Sequence, residues 1–113
     1  MEDNKPKITQ EAFRDKALGC IIGAFIGDAS GARLEFDRNI TAEKIEKALK
    51  MMGGGPIRIG PGQITDDSEL ALCLYQGLIE GKGNLNPDLI CKYYGKWLSS
   101  PPFSKKCIEK QKN

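Results

Sequence analysis

Apolar residues recur along this chain at helical spacing. Phe13, Ala17, Ile21 and Phe25 stand four residues apart and predict one apolar stripe on a helix that begins near Thr9. Thr9 suits the N-cap, and Ile8 and Phe13 occupy the two positions of a hydrophobic staple. Gly19, Gly23 and Gly27 form a second four-residue series on the same helix. A mid-helix glycine costs about 1 kcal/mol against alanine. Three in register predict a smooth groove where something comes close; a packed helix is the ordinary occupant and a ligand the other. Gly27-Asp28-Ala29-Ser30-Gly31 is expected to end this helix. Arg33-Leu34-Glu35-Phe36 reads as a short extended or turning segment.

Thr41 caps a second predicted helix over roughly 42–52, with Ile45, Ala48, Leu49 and Met52 as its apolar face and Gly53-Gly54-Gly55-Pro56 as its stop. Ile57 and Ile59 alternate with Arg58 in a short extended piece that has no visible partner strand. A third helix is predicted from Thr65 or Asp66 to about Glu80, lined by Leu70, Ala71, Leu74 and Leu78 and closed by Gly81. Asn86-Pro87-Asp88 is a strong opening for a fourth: an asparagine cap, proline at the first helical position and an acid in the first turn. Leu89, Ile90, Tyr93, Tyr94, Trp97 and Leu98 then give the bulkiest apolar face of the chain, read as core ahead of a ligand-stacking platform, before Ser99-Ser100-Pro101-Pro102. The pattern predicts an all-α fold.

Composition narrows the function classes. The 113 residues suit one small domain, and a net charge of +2 is too small to argue for a nucleic-acid partner. The absence of histidine removes Ser-His-Asp and Cys-His nucleophile systems and most zinc sites. Cys20, Cys73, Cys91 and Cys107 lack metal-ligand spacing, and the first three fall in apolar segments where cysteine acts as a small hydrophobe. Met1 to Lys7 is no signal peptide, and the apolar run Leu18 to Ile26 is too short and glycine-broken to span a membrane. A cytoplasmic, reducing location without membrane or nucleic-acid partners is expected. Residues 1–7 and 104–113 read as polar tails, the latter disordered or a frayed helix, around a domain at 8–103.

The candidate chemistry lies at the start of the third helix. Gly60-Pro61-Gly62 is a turn that leaves room for backbone approach to a ligand, and it delivers Thr65, Asp66 and Asp67 in succession. Adjacent carboxylates repel unless a cation or a helix N-terminus offsets them. A hydroxyl and two carboxylates suit a hard dication such as magnesium; plain capping is the competing meaning. Asp28 follows nine mostly apolar residues and stands at a helix C-terminus, where its charge opposes the dipole. A cation, Arg33 or nearby backbone donors are expected to compensate it. Glu35 adds a further acid next to the glycine-lined helix.

Gly19 through Phe36, with Gly27-Asp28-Ala29-Ser30-Gly31 and then Glu35, resembles the opening motif of the ADP-ribosylglycohydrolases, a family that includes the ADP-ribosyl-acceptor hydrolases and dinitrogenase reductase-activating glycohydrolase. Gly62-Gln63-Ile64-Thr65-Asp66-Asp67-Ser68-Glu69-Leu70 resembles that family's second motif, and Tyr94 to Phe103 the segment that follows it. The resemblance covers residues 16–103. It implies the N-terminal part of an all-α fold whose central cleft holds a pair of magnesium or manganese ions. Thr65, Asp66 and Asp67 match the first metal-ligand cluster, with Gly62 and Asp67 beside the substrate. Glu35 matches a catalytic or gating glutamate on a mobile loop, and Asp28 a supporting aspartate. The implied reaction is hydrolysis of the bond between ADP-ribose and an acceptor side chain, so the implied partner is an ADP-ribosylated protein or ADP-ribose.

The family's second cluster, of Asp-x-Asp-Thr/Ser type, has no match here, since no aspartate follows Asp88. A truncated chain, at most one bound ion, and helix faces left exposed are therefore expected. An inactive fragment that binds ADP-ribose or a partner, and a plain small helical domain, are the alternatives.

Overall fold

Four helices carry the chain in the computed structural model, which describes residues 8–99: α1 Gln10–Gly31, α2 Ala42–Leu49, α3 Asp66–Glu80 and α4 Pro87–Ser99. The expectations for both tails, for Cys107 and for residues 100–103 lie outside the described residues. The fold is all-α, with one isolated antiparallel bridge, Gly54 to Ile59, where the sequence suggested an extended piece without a partner.

Local signals set the helix starts. Thr9 has extended backbone and its hydroxyl accepts the Ala12 amide at 3.2 Å; Thr41 does the same for Lys44 at 3.4 Å. Asn86 Oδ1 accepts the amides of Asp88 and Leu89 at 3.0 and 3.3 Å, as its position predicts. The helix ends follow expectation only in part. Helix α1 ends at Gly31, the last residue of the segment expected to stop it, so Asp28 lies in its last turn. Helix α2 stops at Leu49, and Met51 enters the left-handed region at φ 49°.

The loop between α2 and α3 explains the three consecutive glycines. Gly53, Gly54 and Gly55 all have positive φ. A Cβ on Gly53 would stand 2.6 Å from the Gly60 carbonyl carbon, and one on Gly55 would strike the Arg33 carbonyl. These close approaches fold the loop onto Ile59, which is buried.

Helices α3 and α4 form an antiparallel hairpin. Gly77 meets Ile90, where an added Cβ would lie 2.8 Å from Cγ1 and 3.0 Å from Cα. Trp97 Nε1 donates to Glu69 Oε2 at 2.8 Å across the other end of the pair. Near the turn, Glu80 accepts from Lys92 Nζ at 2.7 Å and from the Tyr93 hydroxyl at 2.7 Å. Helices α1 and α2 approach through small residues: Ala29, Ala32 and Ala48 are buried, and the Ser30 hydroxyl donates to the Ala48 carbonyl at 3.0 Å.

Several apolar expectations change. No Cβ on Gly19, Gly23 or Gly27 would meet another atom within 4 Å, so among the described residues the glycine stripe is not a packing groove. Gly77 does that job in α3 instead. Leu18, Ile22 and Ile26 on α1, Leu49 and Met52 around α2, and Leu98 on α4 are exposed, in line with the exposed helix faces expected. Ile8 and Phe13 are also exposed, so their staple buries little. The α4 face is only half-buried, and Cys20 and Cys91 are exposed although they fall in apolar segments. No described helix is long and apolar enough to cross a membrane.

Two predictions follow from this packing. Gly77→Ala should destabilise the chain by about 1–3 kcal/mol through the clash with Ile90, whereas Gly23→Ala should stabilise it by up to about 1 kcal/mol; urea unfolding followed by circular dichroism checks both signs. The Glu80 carboxyl is held below its ordinary value of 4.5, chiefly by its hydrogen bond from Lys92 and then that from Tyr93. A depressed folded value means that this contribution is present above pH 4.5 and lost as pH falls through the folded value. The stability difference between the parent chain and Glu80→Gln should accordingly shrink on acidification below that point.

Candidate active site

The last turn of α1 meets the first turn of α3 through one carboxylate. Asp28 accepts the Thr65 amide at 2.9 Å, the Thr65 hydroxyl at 2.5 Å and the Ser68 amide at 3.3 Å, and it also accepts the Ser68 hydroxyl. Thr65 is the N-cap residue of α3 by position, yet its side chain makes no capping bond to its own helix. The cap comes from Asp28, forty residues upstream of Ser68. Of the three compensations the sequence allowed, backbone donors, joined by hydroxyls, are the one observed. The charge that opposes the α1 dipole favours the positive end of α3. Burial pushes the Asp28 carboxyl up, but the bonds from Ser68 and Thr65 outweigh it and hold the group below its ordinary value.

Beside this junction lies a groove of about 540 Å³, walled by Ala24, Gly27 and Gly31 of α1, by Ala32, Leu34 and Glu35 of the following turn, and by Thr65 and Asp67. Four of the sequence-predicted residues therefore share one wall system: Asp28, Glu35, Thr65 and Asp67. Asp66 is exposed in the first turn of α3, outside the groove lining. Gly62, at φ 66°, borders a different, apolar hollow of about 380 Å³ with Ile21, Phe25 and Ile64.

Glu35 is exposed on a turn closed by bonds from Leu34 N to Gly31 O at 2.8 Å and from Asp37 N to Leu34 O at 3.0 Å. The next residue, Phe36, has φ 60°, a conformation costly for a bulky side chain.

The donor set is hard oxygen: one hydroxyl and two carboxylates from Thr65, Asp66 and Asp67. Among the described residues neither aspartate is paired with a cation or accepts a hydrogen bond, and no three His, Cys, Asp or Glu side chains converge as a metal cage. The first turn of α3 carries Asp66, Asp67 and Glu69 with the Asp28 carboxylate against it. This concentration of charge exceeds the partial positive charge of a helix end and suits a dication that keeps several waters.

Sequence reasoning missed two partners. Ser68 is buried and spends both its amide and its hydroxyl on Asp28; a hydroxyl residue at the third position of an acidic helix start was the available signal. Glu69 is not singled out in the sequence; it turns inward to Trp97, and its Oε1 is buried without a partner among the described residues. A lone tryptophan N–H that must find an acceptor was the clue there.

The ADP-ribosylglycohydrolase family model matches residues 9–111. The chain is 42% identical over 96 residues to ADP-ribosyl-[dinitrogen reductase] glycohydrolase of Rhodospirillum rubrum, covering 84% of this chain and 32% of that protein. It is 41% identical over 90 residues to ADP-ribosylarginine hydrolase Tri1 of Serratia proteamaculans, covering 80% of this chain and 23% of that protein. The chain thus spans a third or less of the length of these relatives. No solved structure matches it significantly.

Replacing Asp28 with alanine should remove the α3 cap and strand the buried Ser68 donors, costing about 1–3 kcal/mol. Asp66→Ala and Asp67→Ala, on exposed first-turn positions, should each change stability by less than about 1 kcal/mol. Thermal unfolding of the three variants without added metal measures this order.

Proposed function

The chain belongs to the ADP-ribosylglycohydrolase family, and from that membership and the chemistry of the groove we propose that it forms the part of a glycohydrolase site that holds one dication and the ribose of an ADP-ribosylated side chain. The observation that carries this reading is the convergence of Glu35, Thr65 and Asp67, drawn from two separate motifs, on one groove. The acceptor is a protein side chain; arginine is the one named for the Serratia relative.

Thr65, Asp66 and Asp67 would hold magnesium or manganese. When bound, such an ion supplies positive charge that polarises substrate oxygens. The wall of α1 at Gly27 and Gly31 carries no side chains, so a sugar ring can lie close to the helix. Glu35 faces the same space. Its carboxylate would offset the positive charge that develops at the anomeric carbon as the bond to the acceptor breaks, and would take a proton from the attacking water. Asp28 stays charged and keeps the start of α3 against the groove.

Within these 113 residues there is no Asp-x-Asp-Thr/Ser motif, so they supply one acidic cluster. That favours a second reading, in which the chain by itself binds ADP-ribose without cleaving it.

Calorimetric titration of ADP-ribose into the chain, with and without Mn²⁺, separates these readings from a purely structural domain. Metal-dependent binding that weakens about 10-fold or more in Asp67→Asn supports the site; metal-independent binding, or none, refutes it. Release of ADP-ribose from an ADP-ribosylarginine peptide, abolished by Glu35→Gln with binding retained, distinguishes the hydrolase from the binding form.

A further inference from the structure

We propose that Asp28 is a positioning residue that fixes the direction of the Thr65 hydroxyl, so that this hydroxyl can act toward the groove only as an electron-pair donor to a cation. The inference rests on the metal-holding reading of Thr65, Asp66 and Asp67.

An ionised carboxylate has no proton to give. In the pair between Thr65 Oγ1 and Asp28 Oδ1, 2.5 Å apart, the hydroxyl is therefore the donor. Its single proton is committed to Asp28, and both of its lone pairs remain. Asp28 Oδ2 meanwhile takes the amide of the same residue at 2.9 Å. The carboxylate thus clamps Thr65 at backbone and side chain together, which sets the rotation of Thr65 about its Cα–Cβ bond. Ser68 takes up the remaining capacity of Oδ2 with its amide and hydroxyl. Thr65 borders the groove next to Asp67, and its hydroxyl makes no bond within α3. At the Thr65 hydroxyl the groove meets lone pairs and no free proton, with Asp67 on the same wall. A cation fits here directly.

Asp28→Asn tests the clamp while keeping its shape. An amide accepts through one oxygen and donates through the other group, so it cannot receive both the Thr65 and the Ser68 hydroxyls. One hydroxyl must turn or lose its partner. Mn²⁺ titration of the full chain, read by electron paramagnetic resonance of the free ion, should give a dissociation constant raised about 10–100-fold in Asp28→Asn. Thr65→Ser should keep the parent affinity. Thr65→Val retains the Thr65 amide and both Ser68 donors to Asp28, and hence the cap, but lacks the hydroxyl; it should lose affinity to the same extent as Asp28→Asn, and it decides the matter if Asp28→Asn does not fold. Parent chain and Thr65→Val binding Mn²⁺ equally, or a folded Asp28→Asn with parent affinity, overturns the positioning role alone. A parent chain that binds no Mn²⁺ overturns the metal reading and this role with it.

Discussion

The arrangement of this chain depends on a single carboxylate. Asp28 closes one helix and caps another, and the four hydrogen bonds it accepts join residues almost forty positions apart. A charge placed at a helix C-terminus is unfavourable for that helix, and a helix N-terminus whose own cap residue looks elsewhere is left with orphan donors. Each defect answers the other. The groove exists because the answer is local: α1 and α3 meet end to end at Asp28, and the space beside that meeting point collects Glu35 from the turn after α1 and Asp67 from the first turn of α3.

Little large apolar surface supports this junction. Among the described residues the buried hydrophobic side chains are three alanines and Ile59, whereas Leu18, Ile22, Ile26, Leu49 and Leu98 are exposed. Burying a large aliphatic side chain contributes about 1.5–3 kcal/mol, so the described residues forgo several such contributions. What holds the helices is instead the close approach of Gly77 to Ile90 and the bond from Ser30 to the Ala48 carbonyl, together with polar clasps at Asp28, Glu69 and Glu80.

Helix existence was legible in the sequence because its signals are local. Thr9, Thr41 and Asn86 act on amides three residues or fewer away. The cluster at Thr65-Asp66-Asp67 and its likeness to a family motif were legible for the same reason. The Asp28 clamp was visible only as a need for compensation, since a contact across 37 residues leaves no periodic trace. The glycine stripe on α1 misled because spacing says that backbone is bare and not what lies over it. Gly77, a lone glycine in an ordinary helix, turned out to be the packed one, and its closeness to Ile90 follows from how the α3–α4 hairpin closes.

The central claim is that the start of α3 holds a dication with the ribose beside it. Anomalous diffraction from crystals grown with Mn²⁺ and ADP-ribose tests it most directly. One anomalous peak is expected within bonding distance of Thr65 Oγ1 and the Asp66 and Asp67 carboxylates, with ribose density between it and Glu35. A peak bound by other residues, or ADP-ribose density outside this groove, would contradict it.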